Sequence, residues 1–336
     1  MRFEFYSDAL ENVPKLSVDG TVDNAIHFSH WEGNATPTEV KADTSTEIAL
    51  NLVASPNRAA LTNGIELVTN NHFDTDGVLS VWTVLTGERA LAHRSLLIAA
   101  AEAGDFSEHS SDDGVRVSIA IQGSDQASPN NDDGSPLARF LAGEEVNDDA
   151  RAYELVLPEV ERLLTNINAY EHLWREGWNS VAAAIESFER GKSTVTEHSG
   201  ISVITLAPEL FDGAGFRPTK HSAPYTAISK FARGELFLIA IPSSGGWFYR
   251  LDYPYYSWAE TVVRPRIKRR DLSTALQLLN SKESNRDGRW QPDDREMTSA
   301  VKFLDASGTL TASRLEPDEV VSVLQTSESL VASSVP

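Results

Sequence analysis

The chain contains no cysteine. Disulfides, thiol nucleophiles, iron–sulfur clusters and cysteine-ligated zinc are therefore excluded together, and any metal must be held by histidine and carboxylate. No run of about 18 apolar residues occurs, so no membrane span is expected. The opening MRFEFYSDALENVPK lacks the basic-then-apolar layout of a signal peptide, which predicts a cytoplasmic protein. Cations are scarce. The 29 Lys+Arg stand against 49 Asp+Glu, and a formal net charge of -20 repels duplex nucleic acid. The scarcity is uneven: residues 1–195 hold 13 Lys+Arg against 32 Asp+Glu, and residues 196–336 hold 16 against 17. This asymmetry reads either as a solvated acidic surface on the first part, or as a first part that holds a divalent cation and a second that faces an anion.

What is present is globular. A chain of 336 residues with 41% apolar content suits one large domain or two ordinary ones. Residues 11–40 show no clean helix. Ile65–Thr69 reads as a short buried strand and Val78–Leu85 as a buried helix. Residues 94–103 read as a second helix closed by Gly104, and Val115–Ile121 alternates like a strand. Residues 122–136 read as a polar loop, and residues 150–190 as helical. Strands follow at Ile201–Leu206, Leu236–Ile241 and Trp247–Leu251, then a helix at Leu272–Leu279. The alternation predicts an α/β fold: a parallel-rich sheet domain flanked by helices over 1–195, then a smaller α+β domain over 196–325. Residues 326–336 read as a frayed tail.

One segment carries chemistry. His72-Phe73-Asp74-Thr75-Asp76-Gly77-Val78-Leu79-Ser80 lies between the apolar strand and the apolar helix, where open α/β sheets place ligands. In an extended segment His72, Asp74 and Asp76 share one face. One imidazole and two carboxylates suit Mn²⁺ or Mg²⁺. The plainer reading is an Asp-Gly turn whose carboxylates cap the following helix.

These nine residues resemble the first acidic motif of the DHH phosphoesterase superfamily. RecJ-like exonucleases carry it as Asp-x-Asp-x-Asp-Gly-x-x-Ser, and other members begin it with His. The resemblance implies that His72, Asp74 and Asp76 are metal ligands and catalytic residues, with Mn²⁺ (or Mg²⁺) activating a water. The Asp-His-His triplet that names the superfamily does not occur. Later ligands must then come from elsewhere, with Asp105 the leading candidate and His93, His109, Asp112 and Asp113 the others nearby. The same segment is similar to the first motif of haloacid-dehalogenase-type phosphatases, in which Asp74 would be the nucleophile and Asp76 the general acid.

Two further clusters qualify as candidates. Ser29-His30-Trp31-Glu32-Gly33-Asn34 is an unusual loop composition, and His30 is a candidate substrate contact. Arg264-Pro-Arg266-Ile-Lys268-Arg269-Arg270 concentrates cations downstream of an aromatic-rich stretch that includes Arg250. Arg250, Arg264, Arg266 and Arg269 are therefore candidates for binding phosphate, and the aromatics for stacking a base. The expected function is a metal-dependent phosphoesterase acting on a small phosphorylated or nucleotide-like substrate. The alternatives are the aspartate-nucleophile phosphatase and a non-catalytic relative that binds a small ligand. Nothing in the sequence settles the oligomeric state.

Overall fold

The structure is a computed structural model, and it describes residues 1–123, 134–211, 223–293 and 297–333. Most of the loop expected at 122–136 therefore lies outside the described residues. The fold is α/β. Its contacts divide the chain into two units, Met1–Val181 with Trp258–Arg266, and Ala182–Ser257 with Ile267–Pro336. Two consecutive segments meeting at residue 195 do not describe this division. The break falls inside a long helix, and nine residues of the later chain pack with the first unit.

In the first unit, strands β1 (Arg2–Phe3), β2 (Lys15–Val18) and β3 (Ala25–Phe28) precede helices α1 (Ser45–Ala54) and α2 (Arg58–Leu61). Strand β4 (Leu67–Thr69) leads into α3 (Thr75–Thr86), α4 (Arg94–Phe106) and α5 (Asp112–Gln122). Helices α6 (Pro136–Ala142), α7 (Asp149–Val156), α8 (Val160–Thr165) and α9 (Glu171–Glu189) follow. The sheet order is β1-β4-β2-β3, and all three pairings are parallel. The loops after β2, β3 and β4 therefore leave the same edge of the sheet. Leu16, Val18, Phe28, Leu67 and Val68 are fully buried or nearly so, as the strands of a covered parallel sheet must be.

Helix α5 replaces the strand expected at 115–121. Ser111 caps it by accepting from Gly114 N, and Gly123 ends it in the left-handed region at φ 86. Val115, Val117, Ser118, Ile119, Ala120 and Ile121 are all buried. A helix covered on nearly every side loses the 3.6-residue alternation that would have revealed it. Helix α4 also runs past Gly104 to Phe106, and Ser107 (φ 47) supplies the left-handed cap. Gly104 instead faces α3, where a Cβ would come within 2.7 Å of Thr75 Cβ. That close approach carries Asp105 toward the acidic segment.

The second unit is built on a six-stranded sheet of order β5-β6-β7-β8-β10-β9. Its strands are β5 (Thr194–His198), β6 (Ile201–Thr205), β7 (Leu236–Ser243), β8 (Gly246–Asp252), β9 (Gly288–Pro292) and β10 (Ser299–Asp305). Only the β6–β7 pairing is parallel. Helices α10 (Tyr225–Phe231), α11 (Ser273–Lys282) and α12 (Pro317–Ser333) complete it. Leu238, Tyr249, Trp290, Phe303 and Val320 belong to one buried cluster with Leu279. The tail read as frayed from 326 is helical through Ser333, because Val320, Val321, Val323 and Leu324 give α12 a buried face.

Candidate metal centre

The acidic segment does not stay extended. Asp74 is extended (φ −151, ψ −172) and caps α3, with its Oδ1 accepting from Gly77 N at 2.7 Å. Asp76 already lies in the first turn of the helix. The shared face expected for His72, Asp74 and Asp76 is therefore split. His72 and Asp74 stand outside the helix start, and Asp76 points inward.

Each half meets residues from elsewhere in the first unit. Asp19, His30, Asp76 and Asp105 form one group of ligand atoms mutually within 4.8 Å, and Asp19, His72 and Asp74 form another. Asp19 belongs to both. Its Oδ1 lies 3.6 Å from His30 Nε2, and its Oδ2 lies 2.9 Å from His72 Nε2. Asp105 Oδ2 is 3.0 Å from His30 Nε2, and Asp74 Oδ2 is 3.1 Å from His72 Nε2. Asp19 directly follows β2, His30 follows β3 and the acidic segment follows β4, so the parallel edge assembles the groups. This is the position at which open α/β sheets bind ligands.

The surrounding contacts orient these side chains. Asp19 turns the chain in the left-handed region (φ 63), which aspartate tolerates. Gly20 next to it comes so close to the loop after β4 that a Cβ would lie 2.0 Å from Asn71 Oδ1. Asn70 ties the two loops by accepting from Gly20 N (3.0 Å) and Asn71 N (2.8 Å) and donating to Tyr153 Oη (2.9 Å). Ser45 Oγ donates to Asp19 Oδ1 at 3.0 Å. The Asp76 carboxylate accepts from Ser45 N and Thr46 N, each at 2.6 Å, at the start of α1.

Both imidazoles are held in the same way. His30 Nδ1 donates to Asp43 O at 2.7 Å, and His72 Nδ1 donates to Asn71 Oδ1 at 3.0 Å. In each ring Nε2 is left facing carboxylates. An imidazole pinned through one nitrogen with the other aimed into an acidic cluster is the usual arrangement of a metal-ligating histidine. Among the described residues, Asp19 Oδ2 and His30 Nε2 are buried without a hydrogen bond of good geometry, and they face other members of the groups.

The electrostatics favour a cation. Four carboxylates share this space with two imidazoles, and Asp19, His30, Asp76 and Asp105 are at most 5% exposed. Burial pushes the Asp76 carboxyl up, the charge of Asp19 adds to it, and the result is about 7. Burial and the charges of Asp74 and Asp76 drive Asp105 well above the usual carboxylate range. Burial works against charge on His30, but Asp105, Asp76 and Asp19 outweigh it and lift the imidazole to about 10. His72 is likewise held well above its ordinary value by Asp74 and Asp19 despite burial. Asp19 stays below the usual range against the opposing effect of burial, through His72 and then His30. Protons balance part of the buried negative charge, and a divalent cation would balance it more fully. The donor set of carboxylate oxygens and imidazole nitrogens fits Mn²⁺ or Mg²⁺.

Of the ligands expected from the sequence, His72 and Asp74 enter one group, and Asp76 and Asp105 the other. His30, expected to contact substrate from a loop, is instead buried inside the inner group. Asp19 was not anticipated, although Leu16-Ser17-Val18-Asp19-Gly20 repeats the order of apolar strand, aspartate and glycine seen at the acidic segment. His109 instead pairs with Asp112 at 3.0 Å, Asp113 with Arg116 at 2.9 Å, and His93 lies against Trp82.

The expected phosphate-binding arginines are placed differently. Arg264 is engaged by Asp43 (2.8 Å), Glu102 (2.6 Å) and Glu108 (2.5 Å). Arg250 is buried in the second unit, with Nε donating to Asp252 at 2.6 Å and its guanidinium over the Tyr225 ring. Both serve internal ion pairs, because a buried guanidinium needs a counter-charge. Arg269 lies over the Tyr253 ring at 4.2 Å, and Arg266 is exposed.

The model of a family of unknown function, DUF6687, matches residues 1–327. The chain belongs to that family. The match spans residues of both units. No curated protein matches the sequence. Among solved structures, a pGpG-specific phosphodiesterase, PggH from Vibrio cholerae, aligns with a TM-score of 0.31 and 8% identity, over 93% of this chain and 82% of that one. A likeness at this level decides nothing about fold or activity. No helix among the described residues is long and apolar enough to cross a membrane.

Proposed function

We propose that the first unit is a metal-dependent phosphoesterase, diverged from the DHH superfamily that residues 72–80 resemble. One observation carries the reading: two histidine–carboxylate groups meet at a single shared aspartate, Asp19. His30, Asp76 and Asp105 would hold one ion with Asp19, and His72 and Asp74 a second. Bound there, Mn²⁺ or Mg²⁺ supplies Lewis acidity toward a phosphoryl oxygen and toward water. The chain's own part is to orient the ligands, whose protons an incoming ion would displace. Asp43 and Asn71 fix the two imidazole tautomers, and Ser45 and Thr46 fix the Asp76 carboxylate.

Access is one-sided. The His72 and Asp74 side chains are 30% and 28% exposed, and those of Asp19 and His30 are closed off. A small phosphate ester would approach over His72 and Asp74. The aspartate-nucleophile alternative is weaker, because Asp76, its general acid, is fully buried with both oxygens bonded to backbone N–H groups.

The test is calorimetric titration with Mn²⁺ followed by hydrolysis of bis(p-nitrophenyl) phosphate and p-nitrophenyl phosphate. Mn²⁺ binding that is lost in Asp19→Asn, together with Mn²⁺-dependent release of nitrophenol, is expected. Mn²⁺ binding without hydrolysis of any ester would favour the ligand-binding relative, and no binding would remove the metal reading.

A further inference from the structure

The nine residues 258–266 leave the second unit's chain, pack with the first unit and then return. They touch the inner metal group at three places. Glu260 N donates to His30 O at 2.7 Å. The Trp258 ring stands edge-on to the His30 ring at 5.0 Å and also contacts Trp31 and Phe106. The third place is Asp43. Its backbone carbonyl accepts from His30 Nδ1, and its carboxylate accepts from the backbone N–H groups of Val262, Val263 (2.8 Å) and Arg264 (2.9 Å). Arg264 closes the arrangement by reaching Asp43, Glu102 and Glu108 together. At its other end, the Glu260 carboxylate accepts from Asn34 Nδ2 at 2.9 Å and Gly33 N at 3.4 Å, in the loop that carries His30.

We infer that segment 258–266 is a positioning strap for His30, and that Asp43 is the residue through which it acts. This rests on the metal reading of the inner group. A strap needed only for stability would grip any part of the first unit. This one meets His30 at its backbone carbonyl, at its ring through Trp258, and at Nδ1 through Asp43, whose carbonyl sets the tautomer. The His30 ring bonds Asp43 on one segment and meets Trp258 edge-on from another, 215 positions apart in number. A carboxylate that binds three consecutive N–H groups leaves its own backbone little freedom to turn, so Asp43 O stays aimed at Nδ1. Nε2 is then presented to Asp19 and Asp105 without a search among ring orientations. Removing such an outer partner typically weakens metal binding about 10- to 100-fold.

The experiment is Mn²⁺ titration of the full chain by calorimetry, with thermal melting of the same samples without metal. The variants are Asp43→Ala, Arg264→Met and Arg264→Lys. Val160→Ala, a buried truncation in α8 that carries no member of either group, is the stability control. Asp43→Ala and Arg264→Met should weaken Mn²⁺ binding about 10- to 100-fold. Arg264→Lys should fall between Arg264→Met and the wild type, since one ammonium keeps the charge but not the fork. Val160→Ala should lower the melting temperature with Mn²⁺ affinity unchanged. Wild-type affinity in a folded Asp43→Ala or Arg264→Met overturns the strap alone. Equal loss of affinity in Val160→Ala also overturns it, since the effect would then be general loosening. A wild type that binds no Mn²⁺ overturns the metal reading, and the strap inference with it.

Discussion

Asp76→Asn separates a metal ligand from a helix cap, because the two roles predict opposite patterns. The substitution keeps the shape of the side chain and removes its charge. Without metal, the folded state holds a proton on Asp76 up to about pH 7, whereas the unfolded chain releases it near 3.8. Stability therefore declines as pH rises between those values, and above 7 the buried carboxylate is a burden of roughly 4 kcal/mol. Asparagine lifts that burden. It also loses one of the two charge-assisted bonds to Ser45 N and Thr46 N, at a cost of about 1.5–3 kcal/mol. At pH 8 the metal-free variant should thus be at least as stable as the wild type, within about 2 kcal/mol. With Mn²⁺ the order reverses. At a free metal concentration about 1,000 times Kd the wild type gains roughly 4 kcal/mol. For a unit of about 190 residues this is a rise of about 8–16 °C in Tm. A hundredfold weaker variant would gain only about 1.4 kcal/mol at the same concentration. Thermal melting at pH 8, with and without Mn²⁺, reads both effects. A variant that is more than about 3 kcal/mol less stable without metal, and that keeps the full Mn²⁺-induced shift, would show that Asp76 only caps α1.

Three further outcomes are expected. Because His30 holds its proton up to about 10 and Asp76 up to about 7 without metal, Mn²⁺ binding must expel protons and tighten as pH rises from 6 to 8; calorimetry in buffers of different ionisation enthalpy measures the protons released, and pH-independent affinity would contradict it. His72→Asn should remove one Mn²⁺ equivalent from the titration stoichiometry and leave the inner ion bound, whereas His30→Asn should remove the inner ion; loss of both ions in His72→Asn would show that the two groups are not separate sites. Gly20→Ala forces a Cβ to within 2.0 Å of Asn71 Oδ1 and 2.5 Å of Asn70 Oδ1; separation of the loops after β2 and β4 should destabilise the first unit by about 1–3 kcal/mol and weaken Mn²⁺ binding, as denaturant melts and titration would reveal.

The order of strand, acidic turn and helix around residues 65–86 is legible in the sequence, because each part has a local cause. An apolar run precedes the turn, aspartate caps the helix and a second apolar run continues it. The exclusion of cysteine chemistry and the acidic bias of the first part are equally matters of composition. Helix α5 was hidden because burial on nearly all sides erases periodicity. The grouping of ligands was hidden for a different reason. Asp19, His30 and Asp76 are distant in sequence and meet because β2 pairs with β4 on one side and β3 on the other, all in parallel, and Asp105 joins them where α4 packs closely on α3 at Gly104. No local propensity encodes that adjacency. The arginines show the same limit from the other direction. A cluster of cations in sequence states a charge, but whether each faces solvent, a ligand or a buried carboxylate is decided by what the fold places beside it. Arg264 and Arg250 met carboxylates inside their own units, since a guanidinium removed from water is stable only against an opposite charge.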